Sequence, residues 1–97
     1  MSEGTALVLG LGESGLAMAR WVVRGGGAVR AWDSRLVPPQ AAALREHVPA
    51  AEIVRGALDG DALAGVARVL KSPGLSPNDA RIAPLLDEAW ASAWQQS

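Results

Sequence analysis

Three short stretches carry the residue types and spacings that could do chemistry: Gly10-Leu11-Gly12-Glu13-Ser14-Gly15, Asp33-Ser34-Arg35 and Ser72-Pro73-Gly74. In the first, Gly10 and Gly12 permit a sharp turn and put no Cβ in the way of a ligand, while Gly15 lets a helix sit close against the preceding strand. The backbone N–H groups of Glu13, Ser14 and Gly15 then stand at the positive end of a helix dipole, where an anion such as phosphate is stabilised. Ser14 is either the N-cap of that helix or a hydroxyl donor to the anion. The Glu13 carboxylate would repel such a ligand, so its backbone N–H is assigned to the anion and its side chain is left without a role.

Asp33 lies 18 residues past Gly15, near the spacing at which dinucleotide-binding folds place an acid on the adenosine ribose. Taken alone, this points to NAD. Arg35 widens the choice, because a guanidinium there can accept a 2′-phosphate, stack on a planar base or simply stand in solvent. Asp and Ser are also common turn formers, and Ser72-Pro73-Gly74 is also a plain stop signal between strand and helix.

A glycine turn means phosphate binding only where a strand precedes it and a helix follows. Ala6-Leu7-Val8-Leu9 is a short apolar run without alternation, as expected of a strand buried on both faces of a parallel sheet. Leu16, Ala19, Val22 and Val23 then recur at helical spacing until Gly25-Gly26-Gly27 stops the helix. Ala28 to Trp32 is a second strand ending at Asp33, and the three elements make a βαβ unit. Further on, Pro38-Pro39 opens a helix to about His47, Ile53-Val54 is a short strand, Asp59 to Gly65 a short helix and Arg68 to Lys71 a fourth strand. From Asn78 a helix is expected to run to the tail, with Trp90 and Trp94 on one face and no fifth strand.

Strands alternating with helices predict an α/β fold, a doubly wound parallel sheet of about four to five strands with helices on both faces. Ligands in such sheets bind beyond the carboxyl ends of the strands. All three stretches follow strands, so they share that edge.

The 97 residues fit one domain, and 49% hydrophobic with 20% charged residues is ordinary for a folded one. With no Phe or Tyr, the core must be small and aliphatic, and four Trp supply the large apolar surface. A net charge of −1 offers no basic face to nucleic acid or membrane, and the absence of cysteine excludes disulfides and thiolate metal sites. No long apolar span or leader pattern is present, so a cytoplasmic protein is expected.

Taken together, Leu7 to Leu16, Trp32-Asp33-Ser34-Arg35 with Pro38-Pro39, and Ser72-Pro73-Gly74-Leu75 resemble the Mur ligases of peptidoglycan synthesis, in particular the branch that adds D-glutamate. The resemblance covers residues 5 to 89. It implies a Rossmann-like first domain that holds the UDP end of UDP-N-acetylmuramoyl-L-alanine. By position, within the UDP-binding stretch Gly12 to Gly15, the backbone of Glu13 and Ser14 with the Ser14 hydroxyl would hold the pyrophosphate; Asp33, Ser34 and Arg35 would surround the uracil, with Arg35 packing against its face, and Gly74 beside Ser72 would approach the sugar.

Other parts of that family are missing. The glycine-rich loop with Lys and Ser or Thr that cradles ATP and places Mg²⁺ is absent, as are the carbamylated lysine, the metal-binding His and Glu, and the D-glutamate domain. Lys71 is the only lysine and is expected to be a solvated strand-end charge; His47 is expected to be a surface residue. The chain therefore looks like the front piece of a larger ligase, residues 1 to 97 forming one UDP-binding domain with an atypical, truncated or altered tail from residue 90. It is expected to have no catalytic residue, no metal and no cofactor of its own, ATP and Mg²⁺ belonging to the parent. Two alternatives remain: an NAD-binding module of an oxidoreductase, and a fragment that self-associates through an unpaired sheet edge or the Trp90 and Trp94 face.

Overall fold

A computed structural model describes residues 4–35, 38–73, 75, 79–86 and 88–95. Its centre is strand β1 (Thr5–Leu9), in which Ala6, Leu7, Val8 and Leu9 are fully buried. A run with no polar alternation needs cover on both sides, and it has it. Successive side chains of a strand point to opposite faces, so Ala6 and Val8 enter one core while Leu7 and Leu9 enter another.

The first core lies under helix α1 (Glu13–Arg24) and helix α2 (Ala41–His47), which contribute Ala19, Val22, Ala41 and Leu44. The second contains Trp32, Leu58, Ile82, Leu85 and Ala62 of the short helix α3 (Gly60–Leu63). Strand β1 pairs with β2 (Ala28–Trp32) on one side and with β4 (Val66–Lys71) on the other; β3 (Glu52–Val54) extends the sheet beyond β2. All pairings are parallel and, with a short strand β5 (Trp94–Gln95) beyond β4, the order is β3-β2-β1-β4-β5. This is the expected doubly wound α/β sheet. The chain leaves β1 toward β2 and β3, then crosses to β4, so the order reverses beside β1 and opens a crevice there.

Helix α2 begins at Ala41 and not at Pro38, because Pro38 to Gln40 form a turn in which the Ala41 N–H donates to the Pro38 carbonyl. Gln40 donates to the Leu11 carbonyl, tying this turn to the glycine loop. The tail departs further from expectation. Asn78 lies outside the described residues, and Ala80–Leu85 and Glu88–Ala93 are 3₁₀ segments in place of a continuous α-helix. Pro84 lies inside the first, where its missing N–H and its ring oppose regular α-helical bonding.

A fifth strand does follow: β5 (Trp94–Gln95) pairs in parallel with Val69 and Leu70 of β4. Trp90 and Trp94 therefore do not form a helical stripe. Both are half-buried against the second core, and the Trp94 indole N–H donates to the Leu85 carbonyl at 2.7 Å. The open edge of β4 and the apolar surface below it recruit the tail, which local helical propensity alone would not reveal.

Candidate functional site

The glycine loop begins where β1 ends. Gly10 adopts φ +93°, a left-handed conformation, and a Cβ there would stand 3.0 Å from the Ser72 Cβ, so both its torsion and its space favour glycine. Its N–H donates to the Trp32 carbonyl, and the Ser72 N–H donates to the Leu9 carbonyl, which locks the ends of β2, β1 and β4 together. At Gly15 a Cβ would collide with the Gly10 carbonyl oxygen. This is the close helix-to-strand approach expected of it.

Gly12 differs from both. Its torsions are extended and a Cβ there would meet nothing within 4 Å, so it faces open space at the mouth of the loop. Gly12 is also the N-cap of α1, with no side chain capping the helix. Ser14 is thus not the N-cap: it sits exposed in the first turn beside Glu13. First-turn N–H groups have no acceptor within their own helix, which leaves this end suited to an external anion.

Asp33 is 2% exposed, and its carboxylate is fully employed. One oxygen accepts from the Leu11 N–H at 2.7 Å and Arg35 Nη2 at 2.6 Å; the other accepts from the Arg35 N–H at 2.8 Å and Nε at 2.9 Å. Burial alone would raise its pKa, but the bonds from the Arg35 side chain, the Arg35 N–H and the Leu11 N–H outweigh it and hold the group at about 2. Asp33 is therefore a positioning residue, pinning the glycine loop to the end of β2 and fixing the plane of Arg35. The Arg35 side chain remains 53% exposed, and the Asp33 hydrogen bond raises its own pKa.

A cavity of about 460 Å³ lies over these ends. Gly12, Asp33, Ser34, Arg35 and Ser72, all expected at the site, line it, as does Gly10. Glu13 and Ser14 stand in the exposed first turn of α1, and buried Gly15 serves packing; Gly74 lies outside the described residues. Trp32 supplies a buried wall and is steadied by its indole N–H on the Gly56 carbonyl at 2.8 Å.

Sequence reasoning missed three residues here. Asp79 and Arg81 line the same cavity, joined by a 2.6 Å ion pair. Their signal was the acid-x-Arg spacing already present in Asp33-Ser34-Arg35. Lys71 is not an idle rim charge: half-buried, it donates to the Ser72 and Leu75 carbonyls at 3.2 and 2.9 Å and shapes the loop after β4.

The family model that matches is the Mur ligase MurD-like N-terminal domain, over residues 4–91. The chain belongs to this family. Among its relatives, the UDP-N-acetylmuramoylalanine--D-glutamate ligase of Ralstonia nicotianae is 58% identical over 83 residues, covering 86% of this chain and 17% of the relative. Proteins of the same name from Albidiferax ferrireducens and a Polaromonas species are 51% and 48% identical over 81% and 94% of this chain, and 16% of each relative is covered. The chain thus spans about a sixth of the length of these relatives.

As a MurD-like N-terminal domain, the chain presents an uncapped helix end, a held guanidinium and a buried indole around one opening. That set can grip an anion and a flat ring. Among the described residues no cluster of His, Cys, Asp or Glu fits a metal ion, and no helix is long and apolar enough to cross a membrane.

Proposed function

We propose that residues 1–97 are a single UDP-binding domain of an ATP-dependent, amide-forming ligase that adds D-glutamate to UDP-N-acetylmuramoyl-L-alanine in peptidoglycan synthesis, working in the cytoplasm. The observation that carries this reading is the Asp33-held Arg35 guanidinium, set with Ser34 over the same cavity as the open Gly12 turn. The diphosphate takes the N–H groups of Glu13 and Ser14 and the Ser14 hydroxyl, at the dipole end of α1. Arg35 packs on the uracil face with Ser34 at its edge, and the loop at Ser72 and Gly74 approaches the sugar. Asp33 serves the uracil by holding Arg35, since both its oxygens are already engaged.

The parent reaction phosphorylates the alanyl carboxylate with ATP; the D-glutamate amine then attacks, and ADP and phosphate leave as the amide forms. ATP and Mg²⁺ do not fit this chain. Its only lysine is committed to the Ser72 and Leu75 carbonyls and no glycine-rich loop precedes it. Its contribution to the ligase is to bind and orient the nucleotide end of the substrate.

The NAD alternative is less favoured, since Asp33 has no oxygen to spare for a ribose and the relatives are named for a UDP substrate. The self-association alternative loses its basis in Trp90 and Trp94, which pack on the core. Titration with UMP, UDP and the UDP-muramoyl precursor, followed by NMR, tests the proposal. Amide shifts at Glu13, Ser14 and Arg35 are expected with UDP and not with NADH; no shift at millimolar UDP removes the reading.

A further inference from the structure

Asp79 and Arg81 repeat, across the site, the arrangement of Asp33 and Arg35. In both pairs one carboxylate oxygen accepts from the arginine backbone N–H and from Nε, and the other from Nη2. The distances are 2.9, 2.9 and 2.6 Å for Asp79 with Arg81, against 2.8, 2.9 and 2.6 Å for Asp33 with Arg35. The first pair follows β4 and the second follows β2, the two strands that flank β1, and both arginines line the one cavity. They are close enough for the Asp33 charge to act on Arg81.

An ion pair this exposed, with the Arg81 side chain at 58%, adds little to folding. What the clamp does fix is the orientation of the guanidinium plane, since a bidentate carboxylate allows one arrangement. Each arginine is also neutralised by its own aspartate, which makes Arg81 a weak partner for a second phosphate and leaves its flat face as the useful feature.

Resting on the nucleotide reading above, we infer that Arg81, held by Asp79, forms a second planar wall of the base pocket and stacks on the pyrimidine from the β4 side. Arg35 and Arg81 then grip the base from two loops that the glycine turn separates.

The test compares UMP with 5,6-dihydro-UMP, whose saturated ring is not flat, on the wild-type chain, Arg81→Ala and Arg81→Lys, by NMR titration. Arg81→Ala should weaken UMP about three- to tenfold, the range of one stacked planar pair. It should leave dihydro-UMP nearly unchanged, and Arg81→Lys should not restore UMP, because an ammonium has no plane. Unchanged UMP affinity in Arg81→Ala overturns the inference. Equal weakening of both nucleotides, rescued by lysine, also overturns it and makes Arg81 a phosphate contact. If the wild-type chain fails to bind UMP at all, the nucleotide reading falls and takes this inference with it; if UMP binds and only the Arg81 variants behave otherwise, the nucleotide reading stands.

Discussion

Asp33 shows how a residue whose type suggests ligand contact can have both its carboxylate oxygens spent within the fold. Its folded pKa lies at about 2, against 3.8 ordinarily. A depressed carboxyl contributes stability that is complete above the unfolded value and is lost as pH falls through the folded one. The window is therefore from about pH 4 down to about pH 2, and the shift corresponds to about 2 kcal/mol. Asp33→Asn should unfold at lower urea at pH 7 and lose less further stability between pH 5 and 2 than the wild type; parallel acid profiles of the two proteins would contradict this. Arg35→Ala should weaken uridine nucleotides with the fold intact, because the side chain is half exposed. Equal UMP affinity by titration would remove its base-packing role.

At the scale of elements, β1, the glycine loop and α1 form a rigid unit because the helix has to approach the Gly10 carbonyl closely. Gly15→Ala puts a methyl group into that backbone oxygen, and the strain should cost about 1–3 kcal/mol in urea unfolding. Gly12→Ala meets no atom within 4 Å and should cost less than about 1 kcal/mol while narrowing the anion site. The tail is held by tertiary contacts and not by helical propensity. Trp94→Ala removes a half-buried indole and its bond to the Leu85 carbonyl, which should cost about 2 kcal/mol and release the pairing of β5 with Val69 and Leu70. Amide hydrogen exchange along β4 and β5 reads that release.

The whole molecule places the site by topology. β2, β1 and β4 are neighbours although β3 and two helices separate β2 from β4 in sequence, so the loops that follow them converge on one cavity. A ligand that bridges these loops stabilises the folded state by mass action: UDP at 100 times its Kd should add about 2.7 kcal/mol and raise the melting temperature, a shift that differential scanning calorimetry would detect.

Much of this was legible along the chain, because strands buried on both faces and helices with one apolar stripe announce themselves through local patterning. β2 could be bounded from sequence at Ala28–Trp32, and the turn following β1 from its glycines. That Gly10, Gly12, Asp33 to Arg35 and Ser72 gather over one cavity at the strand ends could also be read from the chain, since turns depend on residues a few positions apart. What local sequence could not decide was everything set by a distant partner. Trp94 joins a strand because β4 offers an open edge; Lys71 turns inward because the loop behind it presents carbonyls; Asp33 is unavailable to a ligand because Leu11 and Arg35 occupy its oxygens. Asp79 and Arg81 become part of the site only when the sheet order brings the loop after β4 beside the loop after β2. The sequence by itself determined the elements up to β4 and the stretches that gather at the strand ends; the tertiary structure decided the course of the tail and which side chains keep hydrogen-bond capacity, because capacity spent within the fold is not available to a ligand.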